Sequence, residues 1–237
     1  MSDLNGKTAL VTGASRGIGK AAALRLAAKC AFVIVHYGAA EKEAHGVVDQ
    51  IKAAGGKAAA IQADLSEPAE IERLAASARS LLREHTGAER LDILVNNAGI
   101  APFFGFTATD NATLDRILAV NVKAPYLLTA RLADALPDGG RVIFVTTAVT
   151  KTYFPGIAAY AASKGAIDTL ILHLGAELGP KGVRVTGVAP GAIETDMSAW
   201  LGSDDGKKQG ARHSGPATHR QARRYRPGDR IPCRSGW

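Results

Sequence analysis

Tyr160 and Lys164 stand four residues apart in "AAYAASKGA", residues 158–166. On a helix that spacing puts both side chains on one face. A phenol, with an ordinary pKa of about 10, is a poor base at neutral pH, and a neighbouring ammonium, together with an oxidised nicotinamide if one is docked there, favours its ionised form. Such a pair can exchange a proton with a substrate hydroxyl or carbonyl. The same spacing also suits a solvated helix face, so its meaning depends on what the rest of the chain places beside it.

A second group capable of chemistry lies in "TALVTGASRGIGKAAALRLA", residues 8–27, where Gly13, Gly17 and Gly19 enclose Ser15, Arg16 and Ile18. Glycines between an apolar run and a helix-like segment let the backbone take positive φ. They also let a pyrophosphate approach the amides of a helix N-terminus, where the dipole favours anions. The turn predicts a dinucleotide site provided a strand precedes it and a helix follows.

Alternating segments supply that context. The strand-like runs are "TALVT", "FVIVHY", "KAAAIQA", "LDILVN", "RVIFVTT" and "VRVTGVA". Between them lie helix-period segments at 17–30, 40–54, 67–86, 113–135 and 157–179. Six buried-type strands separated by helices predict an α/β fold: a Rossmann-like, doubly wound parallel sheet in three αβα layers, with its ligand crevice at the carboxyl ends of the strands. The expected organisation is a single catalytic domain over 1–205 and an irregular basic tail over 206–237.

The chain carries a net charge of +7, with 29 basic and 22 acidic residues. From Gly206 onward there are nine basic residues and one acid, Asp229, which leaves 20 basic and 21 acidic residues before it. The basic balance therefore belongs to the tail, and a nucleic-acid-binding role for the folded part is not expected. Cys30 and Cys233 do not form a disulfide framework, and the six histidines show no metal-ligand spacing. No run approaches 18 apolar residues and no leader pattern precedes the first strand, so the expectation is a soluble cytoplasmic protein with no membrane partner.

The Gly-x-x-x-Gly-x-Gly turn after Thr12, "NNAG" at 96–99, Asn121, "YAASK" at 160–164 and "PGAIETDM" at 190–197 occur in one order. That set resembles the short-chain dehydrogenase/reductase family over roughly residues 5–203, most closely its 3-oxoacyl-carrier-protein-reductase-like branch. The resemblance implies hydride transfer between a nicotinamide and a small carbonyl or alcohol substrate, with Tyr160 as general acid/base. Lys164 is then expected to hold the nicotinamide ribose, and Asn121 to bend the fourth helix and anchor a relay water. Thr147 stands where the family carries a substrate-orienting Ser; it keeps the hydroxyl but adds a methyl.

For the cofactor, the resemblance implies contacts from the Gly-rich turn, Tyr37, Asp64 and Leu65, Asn97, Ala98 and Gly99, and Pro190, Gly191, Ile193 and Thr195. The family's ribose-reading position at the end of the second strand is Tyr37, which is not acidic, and Arg16 offers a guanidinium to a 2′-phosphate. NADP(H) is therefore expected over NAD(H). The family also implies a homodimer or homotetramer. The alternative is a non-catalytic dinucleotide-binding or scaffold protein, suggested by Thr147 and by the C-terminus.

Family members continue past "TDM" with a further helix and strand, which this chain is expected to lack. Read one base later with permitted synonymous codons, His219–Arg234 becomes "IGKPDDIALAIAFLAG", which resembles the missing helix. The expectation is a shifted frame near Gln209–Gly210, with lowered stability and impaired turnover in this chain.

Overall fold

A computed structural model describes residues 4–29, 31–193 and 195. The chain divides into two units, Met1–Pro190 and Gly191–Trp237. The first carries six strands: β1 (Thr8–Val11), β2 (Phe32–Tyr37), β3 (Lys57–Gln62), β4 (Ile93–Asn96), β5 (Arg141–Val145) and β6 (Arg184–Val188). Its helices are α1 (Gly17–Ala27), α2 (Glu41–Ala53), α3 (Pro68–Thr86), α4 (Asn111–Leu118), α5 (Ala124–Leu132) and α6 (Ala158–Leu178). The expected lack of a further helix and strand, and the shifted frame near Gln209–Gly210, concern positions outside the described residues.

Apolar runs without alternation become central strands because both faces of a parallel sheet are covered. β1, β2 and β4 are buried along their whole length. All the strands pair in parallel, in the order β3-β2-β1-β4-β5-β6, which is the predicted doubly wound sheet. One core cluster holds Leu10, Ile34, Leu94, Leu128 and Phe144 under α3 and α5. The other holds Val11, Val33, Val35, Val47 and Ile51 under α1 and α2. Side chains alternate along each strand, so Leu10 serves one cluster and Val11 the other.

The chain order reverses between β1 and β4, where a ligand crevice opens beyond the carboxyl ends of the strands. The N-terminal edge beneath it is pinned by Asp92, whose carboxylate accepts from Lys7 Nζ at 3.0 Å, from the Thr8 amide at 3.1 Å and from Arg90 at 2.8 Å. The expected helix over 113–135 is interrupted: a five-residue π turn, Ala119–Lys123, joins α4 to α5. Such an insertion rotates the following residues about the axis and recurs at functional sites.

Candidate active site

The loops that leave β1, β3, β4 and β5 all open on the carboxyl edge of the sheet, and they carry most of the residues singled out from the sequence. Gly13 and Gly17 take φ of +61° and +56°. α1 then starts with no side-chain cap and no acid in its first turn. α4 instead begins on Asp110, whose carboxylate accepts from the Thr113 amide at 2.8 Å. A helix start left uncapped at the mouth of the crevice suits an anion.

Packing tightens the turn. A Cβ on Gly19 would lie 2.3 Å from the Gly13 carbonyl oxygen and 2.4 Å from Asn97 Nδ2. The Thr12 hydroxyl accepts from the amides of Asn97 at 2.9 Å and Ala98 at 3.0 Å. Asn97 Nδ2 in turn donates to the carbonyls of Thr12 at 2.8 Å and Gly13 at 3.0 Å. Thus "NNAG" braces the Gly-rich turn across the reversal point of the sheet. Ser15 is buried, whereas Arg16 and Gly17 are exposed.

At the end of β2 the side chain of Tyr37 is buried against α2, edge-on to His45 with ring centroids 6.1 Å apart. Gly38 and Ala39 are the residues exposed there, and no carboxylate follows until Glu41. A 2′-phosphate would meet no acid on this stretch of chain, so the residues present fit the phosphorylated dinucleotide. Leu65 is buried, and Asp64 Oδ1 accepts from the amide and hydroxyl of Ser66 at 2.9 and 2.7 Å, bonds that hold its carboxyl below the ordinary value.

The reacting groups meet over β5. α6 brings the Lys164 Nζ to 6.0 Å from the centre of the Tyr160 ring, as the four-residue spacing predicted. The ammonium donates to the Val145 carbonyl at 2.8 Å, and burial pulls its pKa down to about 8, with the charge of Asp168 opposing. Burial pushes the Tyr160 phenol up, against a hydrogen bond shared with the Thr147 hydroxyl. Burial thus favours the neutral phenol at Tyr160, and the Thr147 hydroxyl works the other way. Thr147 follows β5 and is nearly buried.

Asn121 lies in the π turn and is buried. Its Oδ1 accepts from the Ile100 amide at 2.9 Å, and its Nδ2 donates to the Ile100 carbonyl at 2.9 Å and to Ser163 Oγ at 3.0 Å. Ser163 Oγ donates to the Tyr160 carbonyl at 2.7 Å, so Asn121 ties the loop after β4 to the turn of α6 that carries Tyr160. Gly99 sits under this group, since a Cβ there would come within 3.2 Å of Asn121 Oδ1 and 3.5 Å of Lys164 Nζ. Pro190 accepts from the Ala148 amide at 2.9 Å, which places it beside the Thr147 segment. Gly191, Ile193 and Thr195 belong to the second unit, of which only 191–193 and 195 are described.

His36 and Ser163 were not singled out from the sequence as site residues. His36 is buried, with Nδ1 accepting from the Gly13 amide at 3.1 Å and Nε2 facing the Ala63 carbonyl at 3.1 Å. Burial pulls its pKa down to about 4 from 6.5, the Ala63 contact opposing, so the ring is neutral in the fold. Because the unfolded chain binds this proton more readily, the contribution is intact above pH 6.5 and is lost as pH falls toward 4. That corresponds to roughly 3 kcal/mol. His36→Asn is therefore expected to melt with a shallower dependence on pH across that window than the parent protein, and equal slopes would remove His36 from the acid response.

Among the described residues no helix is long and apolar enough to cross a membrane, and no three His, Cys, Asp or Glu side chains gather to hold a metal ion.

The family model for short chain dehydrogenases matches residues 7–206. A hydroxynaphthalene reductase-like protein of Metarhizium robertsii is 38% identical over 208 residues, 86% of this chain and 76% of that protein. A versicolorin reductase of Emericella nidulans is 41% identical over 196 residues, 82% of this chain and 72% of its own. Among solved structures, an angucycline C-6 ketoreductase with bound NADP superposes with a TM-score of 0.84 at 39% identity, covering 88% of this chain and 81% of that one. With the doubly wound sheet, the Gly-rich turn and the Tyr160–Lys164 pair already in place, these matches make the chain a member of the short-chain dehydrogenase/reductase family of oxidoreductases.

Proposed function

We propose that this protein is an NADPH-dependent reductase of fused-ring aromatic ketones, with Tyr160 as the proton donor. The observation that carries the reading is the placement of the Tyr160 phenol, hydrogen-bonded to Thr147 and with the Lys164 ammonium 6.0 Å from its ring centre, where burial pushes its pKa up. A neutral phenol suits the reducing direction, in which a carbonyl oxygen must gain a proton as its carbon gains hydride. NADPH, when bound, supplies that hydride.

The chain's own groups divide the remaining work. The uncapped start of α1 and the Gly13–Gly19 turn receive the pyrophosphate, and the exposed Arg16 in that turn brings a guanidinium to the 2′-phosphate. Thr147 holds the substrate carbonyl against Tyr160, while Lys164 anchors the ribose and keeps positive charge beside the phenol. Asn121 keeps the loop after β4 and the start of α6 in register. Asp64, Leu65 and Asn97–Gly99 flank the adenosine, and Pro190, held by the Ala148 amide, stands toward the carboxamide end. NADP(H) is preferred because the β2 end offers no carboxylate, in keeping with the NADP of the angucycline ketoreductase.

The substrate class rests on two supports. The loops after β4 and β5 are joined by the Phe104 amide donating to the Gly156 carbonyl at 3.0 Å, and Phe103 meets Phe154 edge-on at 6.1 Å. Phe103 and Phe104 remain about half exposed, which leaves aromatic faces for a flat apolar ring system. The relatives named above act on hydroxynaphthalene-type, versicolorin and angucycline compounds according to their names. NADPH oxidation should be faster with tetralone- and anthraquinone-type ketones than with β-ketoacyl thioesters, and faster than NADH oxidation. Preference for the thioester would reject the substrate class, and preference for NADH would reject the cofactor assignment.

A further inference from the structure

We infer that His36 is a positioning residue for the dinucleotide, locking the Gly-rich turn to the segment that flanks the adenine. The inference rests on the cofactor reading above and adds a residue that the family motifs do not include. His36 is the fifth residue of β2, a strand paired with β1 on one side and β3 on the other. It can therefore reach the loops of both neighbours, and it does. Its carbonyl accepts from the Ala14 amide at 2.8 Å while its Nδ1 accepts from the Gly13 amide at 3.1 Å, so one residue takes two consecutive amides of the turn.

The opposite ring nitrogen, Nε2, donates to the carbonyl of Ala63 at 3.1 Å, immediately before Asp64 and Leu65. That assignment is forced by the partners, since an amide can only donate to Nδ1 and a carbonyl can only accept from Nε2. With both nitrogens engaged and the ring buried, the two cofactor-facing loops are held at one spacing. A strand leucine could fill the same volume without fixing either loop. Gly13 has a positive φ, and its half-buried amide would lose its acceptor if the ring nitrogen were removed.

The test measures binding of NADPH and of 2′,5′-ADP, its adenosine half, by fluorescence titration and competition well below the melting temperature of each variant. His36→Asn keeps an acceptor near the position of Nδ1 and is expected to bind both within about threefold of the parent. His36→Phe keeps the ring without nitrogens and is expected to weaken both about tenfold, the consequence of an unsatisfied amide at the turn. If the Phe variant does not fold, His36→Gln serves instead, because its amide reaches toward Ala63 but presents no acceptor to Gly13; the same loss is expected. A residue that merely fills the core would change melting temperatures and leave these affinities alone. The inference is overturned if Phe or Gln binds as the parent does, or if Asn loses as much as they do. A parent protein that binds neither ligand would instead overturn the cofactor reading itself.

Discussion

Tyr160→Phe is expected to reduce ketone turnover by roughly 10²–10⁴-fold while leaving NADPH affinity within about twofold. In the proposed mechanism the phenolic oxygen is the atom that meets the substrate carbonyl; the ring beneath it is half-buried and survives the substitution. Lys164 keeps its bond to the Val145 carbonyl, and Ser163 keeps its bond to the Tyr160 carbonyl, so neither the ammonium nor the start of α6 has cause to move. Only Thr147 loses a partner, and its hydroxyl still accepts from the Val149 amide at 3.4 Å. The loss should therefore fall on kcat rather than on cofactor binding, the signature of an interaction made as the proton moves. Steady-state rates paired with a binding titration decide it. A variant that turns over at the parent rate would leave the proton without a donor and end the proposed mechanism.

The sheet was legible because its signal is additive. Each of the six runs is short, rich in apolar residues and bounded by polar or Gly-containing segments, and each became a strand within a residue or two of its expected place. The Tyr160–Lys164 pair was legible for a similar reason, since one helical turn fixes its geometry locally. What the sequence hid depends on contacts between distant segments. His36 looks like one more residue of a buried strand; its neighbours Gly13 and Ala63 lie 23 and 27 residues away and meet it only because β2 sits between β1 and β3. The π turn at Asn121 lies where the family resemblance implied a bend, but hydrophobic periodicity alone averages its extra residue away over the expected 113–135 helix. At Tyr160 the four-residue spacing reveals the neighbouring ammonium but not the burial, which pushes the phenol up.

Gly19→Ala is expected to be the most damaging methyl addition to a helix among the described residues. A glycine in a helix ordinarily gains stability on becoming alanine, by about 1 kcal/mol. Gly46 in α2 meets nothing within 4 Å, and Gly46→Ala should show that gain. At Gly19 the new Cβ falls 2.3 Å from a backbone oxygen and 3.0 Å from the Ala14 Cα, and neither is the far end of a flexible side chain. Relief requires α1 to back away from the turn, which pulls the Gly13 carbonyl off Asn97 and spoils the brace between the loops of β1 and β4. Overpacking against backbone costs about 3 kcal/mol, more than the helix gain offsets. At 2–4 °C per kcal/mol for a domain of about this size, the melting temperature should fall by roughly 4–8 °C net. NADPH binding should fall with it, because the displaced helix start is the proposed pyrophosphate seat. Gly19→Ala melting and binding like the Gly46→Ala control would mean that α1 can move without cost, and the Gly-rich turn would then not be the rigid cradle proposed for the cofactor.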